Sequence, residues 1–306
     1  MFPYPGMTDQ YRADSFPQLL LSYVRREPRE ELYIFDAGCG TGTAVVPVAE
    51  NCPSAQIVAL DISVAALEQA RRLAEERGVA NVRFVEGDIN RLDRTLRPDG
   101  GFDLIYASGV IHHLADPVKG LKQLAGLMAD DGLMVLFLYS AWGRQPALRV
   151  AQAMNIMEPD KSDYAKRLPL VRSLLESLVE SPVNEAPMGY RADLPDNEVV
   201  DRYLHANERA YTIPGLFELL DSSGVKFIRW LEPREWDVDY LVSPGEASQM
   251  LSKLDERRRL EVLDLLFDHP QLALVVGHLQ SQARPVPDDQ VLLESTVAFN
   301  PQAGLY

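Results

Sequence analysis

The stretch Phe35-Asp36-Ala37-Gly38-Cys39-Gly40-Thr41-Gly42 decides the fold prediction, because it joins a short apolar run to a helical pattern. Three glycines at alternate positions let the backbone turn sharply and approach a ligand without a Cβ in the way. Open α/β sheets bind ligands at such turns, in the crevice beyond the carboxyl ends of their strands. We therefore expect a ligand site at this turn.

Short apolar runs alternate with helical patterns on the C-terminal side of the turn. The runs cover residues 32–35, 56–60, 82–85, 102–107 and 133–138, and the helical patterns 43–51, 63–76 and 117–128. Gly78 is placed to end one helix, and Asp116-Pro117 to begin another. This alternation predicts parallel strands with helices on both faces of the sheet.

The rest of the chain adds helical insertions and two more strands. Helical patterns cover 146–154, 164–178 and 197–207, followed by a helix at 214–222 and a strand at 225–231. A helical stretch at 244–267 precedes a last strand at 272–279. The prediction is an α/β fold, a doubly wound sheet of seven strands.

The spacing of the glycines separates two kinds of cofactor. A dinucleotide site would have glycine or alanine at position 43, which is Thr43 here. The carboxylate of Asp36 would repel a pyrophosphate and attract the cationic amino group of a cofactor that carries an amino acid. Asp61 closes the second strand about 20 residues later, where an acid can accept hydrogen bonds from both ribose hydroxyls.

Polar residues also close the next two strands. Asp88 ends the third strand and can accept from an adenine amino group, with Ile62 and Ile89 on either side of the base. Ser108 ends the fourth strand. Four successive strand ends thus place acids or small polar groups at one crevice.

This ordered set resembles the class I S-adenosylmethionine-dependent methyltransferases over residues 31–138. The resemblance implies methyl transfer from S-adenosylmethionine and an antiparallel last strand beside the fifth. It also implies that Asp36, Gly38, Gly40, Gly42, Asp61, Asp88 and Ile89 bind the cofactor. Cys39, Ile62 and Ser108 complete the predicted cofactor-binding set. More narrowly, Ser108–Leu114, Leu138-Tyr139-Ser140 and an early Pro-Tyr-Pro are similar to a bacterial group often fused to tetratricopeptide repeats; the sequence has no such repeats.

His112 and His113 are the candidate catalytic residues, since an imidazole can take a proton from an attacking oxygen or nitrogen. The alternative is that one packs under the cofactor and the other caps the helix at Asp116. Methyl transfer also proceeds without a base, because alignment alone can lower the barrier by about 7–11 kcal/mol.

The acceptor site is predicted from position in the chain. Residues 1–30 would form a lid and 141–210 a cap over the crevice of the 31–140 core, while 211–280 complete the sheet and 281–306 form a tail. Candidate acceptor-binding residues are Tyr4, Tyr11, Tyr139, Arg144, Tyr203 and Arg209. The arginines suggest an anionic acceptor; the alternative is that they face solvent or pair with nearby acids.

Composition narrows the partners. The net charge of −15, from 30 basic and 45 acidic residues, disfavours nucleic acid, so we expect a small-molecule acceptor or a protein acceptor. No apolar run is long enough to cross a membrane, and the N-terminus lacks a secretory signal pattern, so we expect a cytoplasmic location. We expect a monomer or a homodimer. Cys39 and Cys52 are predicted to be free thiols, and no metal site is expected.

Two other classes stay open. The chain could bind the cofactor as a regulatory or partner protein without transferring a methyl group. It could also be a nicotinamide-dependent oxidoreductase, which Thr43 disfavours.

Overall fold

The structure, a computed structural model, describes residues 31–180, 190–205 and 207–280, without the side chain of Asn197. The predicted lid at 1–30, with Tyr4 and Tyr11, and the predicted tail at 281–306 lie outside the described residues.

Seven strands form a single sheet in the order β3-β2-β1-β4-β5-β7-β6. Strands β1 to β5 are parallel to one another, and β7 runs antiparallel between β5 and β6. The predicted sheet and its antiparallel last strand are confirmed. The bounds are β1 Tyr33–Ala37, β2 Gln56–Asp61, β3 Val82–Glu86, β4 Phe102–Ser108, β5 Met128–Tyr139, β6 Val225–Trp230 and β7 Gln271–His278.

Ten α-helices, some of a single turn, occur in the described residues. They are α1 Val45–Asn51, α2 Val64–Glu76, α3 Pro117–Ala125, α4 Gln145–Met157, α5 Tyr164–Glu180, α6 Asp196–Val199, α7 Ile213–Ser223, α8 Val238–Leu241, α9 Glu246–Ser252 and α10 Glu256–Leu266. Short 3-10 turns follow β3, β4 and β6, and a π-helical turn at Val200–Leu204 follows α6.

Local capping chemistry fixes the predicted helix ends. Ser63 accepts a hydrogen bond from the backbone N–H of Ala66, and Asp116 accepts one from that of Lys119 at 2.9 Å. Gly78 has a φ of +67°, as a left-handed terminator requires. Pro47 is the third residue of α1, where its missing N–H breaks no helical bond.

Three predicted elements needed correction. The single helical stretch at 244–267 is two helices, because the side chain of Asp255 accepts from the N–H of Arg258 and begins α10 anew. The predicted helix at 197–207 ends early, at the π-helical turn. Strand β5 begins at Met128 rather than 133, since Met128 already pairs with Phe102 across a bulge.

Two core clusters cover the two faces of the sheet, because successive strand residues point to opposite sides. Ile34 belongs to the cluster that includes residues of α1 and α2, and Phe35 to the one that includes residues of α3, α7 and α10. A third cluster lies within the cap, between α4, α5 and the π-helical turn, and includes Val150, Val171 and Tyr203. The cap therefore has a small core of its own.

Both cysteines are buried free thiols. None of the helices in the described ranges is long and apolar enough to span a bilayer. The same residues contain no cluster of three or more His, Cys, Asp or Glu side chains suited to a metal ion.

Candidate functional site

A cavity of about 330 Å³ opens where β1 and β4 lie side by side, the point at which the strand order reverses. The predicted glycine turn forms one wall, and the cap and the end of β5 form the other. Its lining residues are Asp36, Gly38, Cys39, Gly40, Thr41, Thr43, Ala44, Ser108, Gly109, Phe137, Tyr139, Gly143, Arg144, Leu194, Glu198, Asp201, Arg202, Pro270 and Gln271.

Asp36 is the buried acid of the cavity wall. It is 6% exposed at the end of β1. Burial, and to a smaller extent the nearby charge of Asp61, raise the pKa of the Asp36 carboxyl to about 7. A desolvated carboxylate gains strongly from a cationic partner, because no water competes for the charge.

The three positions of the turn require glycine for different structural reasons. All have positive φ, +83° at Gly38, +54° at Gly40 and +81° at Gly42. A Cβ on Gly38 would come within 2.8 Å of Val110, and one on Gly42 within 2.9 Å of Ala70 in α2. A Cβ on Gly40 would meet no atom within 4 Å. Gly42 thus serves helix packing, whereas Gly40 offers bare backbone to the cavity.

Asp61 stabilises the glycine turn by accepting hydrogen bonds. Its carboxylate accepts from the N–H of Gly40 and the N–H of Ser63, each at 2.8 Å. Each oxygen retains a further lone pair, so Asp61 can still accept from a ligand hydroxyl.

The predicted adenine side lies beyond the cavity lining, on a more open strip. Asp88 accepts from the N–H of Asn90 at 2.8 Å and is partly exposed. Ile62 is 71% exposed, whereas Ile89 is buried in the core that includes α3. The apolar face available for a base is therefore that of Ile62.

These residues fit an amino-acid-bearing nucleoside. The buried carboxylate of Asp36 could receive the amino group, and the open face of Gly40 would leave room for the chain of the amino acid. Partly exposed acids, Asp61 and Asp88, follow at the ends of β2 and β3. The same order of acids disfavours a pyrophosphate. Cys39 and Ser108, which were predicted to bind the cofactor, both line the cavity.

His112 and His113 lie beside the cavity and not in its lining. His112 is fully buried, its ring 4.0 Å from that of Tyr139, and neither ring nitrogen has a hydrogen-bond partner among the described residues. Burial holds the pKa of His112 well below 6.5, so the imidazole is neutral at pH 7. Burial and then the neighbouring His205 lower the pKa of His113, whose Nδ1 lies 2.8 Å from the carbonyl oxygen of Asn207.

The predicted acceptor residues divide into two groups. Tyr139 and Arg144 line the cavity. Tyr203 is buried in the cap core, where its hydroxyl accepts from the N–H of Arg191 at 3.0 Å. Arg209 lies outside the lining and donates to the carbonyls of Leu114 and Ala115.

Several residues that line the cavity were not predicted as site residues from the sequence. Leu194, Glu198, Asp201 and Arg202 come from the cap, where the pattern indicated only a helix. Gln271 reaches the cavity because β7 pairs it with Tyr139. The position of Gln271 could have been predicted from the expected pairing of β7 with β5. No pattern in the sequence indicated which cap residues line the cavity.

The seven-stranded sheet with its antiparallel β7 is the fold of a class I, Rossmann-like methyltransferase domain. Residues 29–173 match the sequence model of a family described as "Methyltransferase domain". This segment is therefore a methyltransferase domain, and the resemblance seen in the sequence is confirmed. Enzymes of this class use S-adenosylmethionine as their methyl donor. The prediction of S-adenosylmethionine as the cofactor is therefore confirmed for the class to which this domain belongs.

Relatives extend the comparison. An uncharacterised protein of Synechococcus sp. is 31% identical over 247 residues, which are 77% of this chain and 58% of that protein. A malonyl-[acyl-carrier protein] O-methyltransferase of Halalkalibacterium halodurans is 33% identical over 125 residues, 40% of this chain and 44% of that protein. The chain thus spans about half the length of the curated relatives it matches.

Among solved structures, PKMT2 from Rickettsia typhi in complex with AdoHcy superposes with a TM-score of 0.71 at 18% identity. The match covers 95% of this chain and 57% of that one. This likeness shows that the two proteins share an overall fold.

Proposed function

We propose that the protein is an S-adenosylmethionine-dependent methyltransferase, whose acceptor is a small molecule or, as the second choice, a protein. The observation that carries the proposal is the desolvated carboxylate of Asp36 beside the bare backbone of Gly40, in a cavity closed on its other side by the cap. Named methyltransferases among the relatives support the activity.

Each part of the site has a role in this proposal. Asp36 receives the amino group of the cofactor, Gly40 lets the backbone approach it, Asp61 accepts from the ribose, and Asp88 with Ile62 holds the base. When bound, S-adenosylmethionine supplies a methyl group already activated on a sulfonium. The cavity then aligns the acceptor with it and excludes water.

The geometry favours alignment over base catalysis by the two histidines. His112 and His113 are absent from the described lining of the cavity, and the pKa of each is lowered by burial. Tyr139 does line it, but burial raises the pKa of its hydroxyl to about 12, so it stays protonated at pH 7. Direct in-line transfer, without proton abstraction by these two histidines or Tyr139, is the mechanism that this arrangement supports.

The acceptor is proposed to be small because the cavity of about 330 Å³, which the cofactor would share, lies at the lower end of the range of small-molecule sites, about 300–1,000 Å³. Curated relatives carry acceptors as different as malonyl-[acyl-carrier protein], demethylmenaquinone and trans-aconitate in their names. The shared domain therefore does not select among them. The anionic-acceptor hypothesis weakens, since Arg209 lies away from the cavity and Glu198 and Asp201 line it.

Two free cysteines support a reducing, cytoplasmic setting, and the charge of −15 supports the absence of a nucleic-acid partner. The remaining alternative is a regulatory or partner protein that binds the cofactor without turnover.

Release of S-adenosylhomocysteine separates enzyme from regulator. The purified chain is mixed with S-adenosylmethionine and cell extract, and product is quantified against an Asp36→Asn variant as the control. We expect product with the wild-type chain and none above background with the variant. Cofactor binding without any product would favour the regulator.

A further inference from the structure

Arg144 joins the cavity to the cap. It directly precedes α4, is 5% exposed, and its side chain lines the cavity. The guanidinium Nε lies 2.9 Å from one carboxylate oxygen of Glu208, and Nη2 lies 3.1 Å from the other. Nη2 also donates to the carbonyl of Arg202 at 3.2 Å. The side chain of Arg144 therefore binds two residues near the C-terminal end of the cap, Arg202 and Glu208.

The same guanidinium lies over the ring of Tyr139, 3.7 Å from its centroid. The backbone of Tyr139 is fixed separately, because its carbonyl accepts from the N–H of Tyr211 at 2.8 Å. The ring centroid of Tyr139 also lies 4.0 Å from that of His112, 5.8 Å from that of His113 and 6.3 Å from that of Phe137. The guanidinium of Arg144 is the nearest of these groups to the ring. Orientation of the Tyr139 ring in the cavity thus depends in part on Arg144.

Burial makes this pair sensitive to change. The side chains of Arg144 and Glu208 are 6% and 10% exposed, so removing one partner leaves the other charge with little solvation. Burial alone would lower the pKa of Arg144, but the hydrogen bonds and charge of Glu208 keep it raised. Its charge is already balanced, so Arg144 is poorly suited to receive an anionic acceptor.

We propose that Arg144 and Glu208 form a positioning pair that orients Tyr139 and holds the cap segment 198–202 over the acceptor side of the cavity. The inference rests on the proposed function for what the cavity does, and on the contacts alone for how the cap is held. Lysine cannot replace this arginine, because it lacks the planar fork that makes two hydrogen bonds and stacks on a ring.

The chain offers a matched control. Arg257 makes the same two-pronged contact with Asp221, at 2.7 and 2.8 Å, and its guanidinium lies 4.3 Å from the ring centroid of Phe217. Both side chains are about half exposed, and neither residue lines the cavity. Arg257→Lys therefore removes the same kinds of contact, two hydrogen bonds to a carboxylate and one guanidinium–ring contact, from a solvent-exposed site.

Hydrogen exchange tests the pair in the full chain without an acceptor. In Arg144→Lys we expect the amides of 196–204 to exchange about tenfold faster or more, with those of β1 and β4 unchanged. Glu208→Gln should reproduce this pattern, and the double variant should be no worse than Arg144→Lys, since the two residues act as a unit. Arg257→Lys should leave 196–204 unchanged. Uniform acceleration across the sheet, or no difference between the two lysine variants, would overturn the proposal.

Kinetics with S-adenosylmethionine and cell extract supply the functional readout. In Arg144→Lys we expect kcat to fall about tenfold while KM for S-adenosylmethionine stays within about twofold, because the glycine turn is untouched. A rise in KM at unchanged kcat would contradict an acceptor-side role. If the wild-type chain shows no turnover, the proposed function fails, and hydrogen exchange still decides whether the pair holds the cap.

Discussion

Asp36 combines two demands that oppose each other. Its pKa of about 7 exceeds the ordinary value of 3.8, so the folded chain holds this proton more tightly than the unfolded chain does. The stability that Asp36 contributes is fully present below pH 3.8 and is lost as the pH rises through 7. Under the proposed function, the amino group of the cofactor binds the ionised form of Asp36, which is the form that folding disfavours.

Asp36→Asn should therefore separate stability from binding. At pH 8 we expect the variant to be more stable than wild type by up to about 4 kcal/mol in urea unfolding, with little difference at pH 4. Its affinity for S-adenosylmethionine should be low at every pH. For wild type, Kd should rise by up to about tenfold per pH unit below pH 7. A pH-independent wild-type Kd would contradict the role assigned to this carboxylate.

His112 gives the opposite pH dependence. Its pKa is lowered by burial, so the unfolded chain takes up a proton below pH 6.5 that the folded chain refuses, and stability falls as the pH drops. His112→Phe keeps a ring beside Tyr139 and removes the titration. We expect a smaller loss of stability between pH 7.5 and 5 than in wild type, measured by urea unfolding. Identical losses in both proteins would show that His112 is not held neutral.

At the scale of the element, the glycine turn is a strand-to-helix joint in which each glycine meets a different neighbour. Gly42→Ala should cost about 2–4 kcal/mol, from the left-handed backbone and the contact with Ala70. Gly40→Ala should cost only about 1–2 kcal/mol, because its Cβ points into open space, yet it should weaken S-adenosylhomocysteine binding. Urea unfolding and calorimetry on both variants check this. Equal stability losses would contradict it.

The elements that the sequence predicted well are those with local causes. Ser63, Asp116 and Gly78 set helix ends through hydrogen bonds within a few residues, and the predicted ends lie close to the observed ones. Strand β5 was underestimated because its first residue depends on pairing with Phe102, which no local pattern records. The break before α10 was in fact readable, since Asp255 is a good N-cap residue.

The cap could be predicted as helical but not as a surface. Tyr203 and Arg144 are both cap-region residues of the expected types, yet one packs inside the cap and the other lines the cavity. Which side chain faces the cavity depends on how α4, α5 and α6 pack together, and a single sequence carries no direct record of that packing. The partners of Arg144 lie 58 and 64 residues away in the chain.

At the scale of the whole molecule, a sheet with two covered faces carries a cap that has its own core. The cavity lies between the ends of β1, β4 and β5 and this smaller unit. Under the proposed function this arrangement separates two tasks, because the sheet would supply the cofactor contacts and the cap would supply the acceptor side.

Isothermal titration calorimetry of the purified chain with S-adenosylhomocysteine tests the central claim most directly. We predict one binding site per chain at pH 8, an affinity lost in Asp36→Asn, and no comparable heat with NAD. Absence of binding by the wild-type chain, or tighter binding of NAD than of S-adenosylhomocysteine, would contradict the assignment of this site.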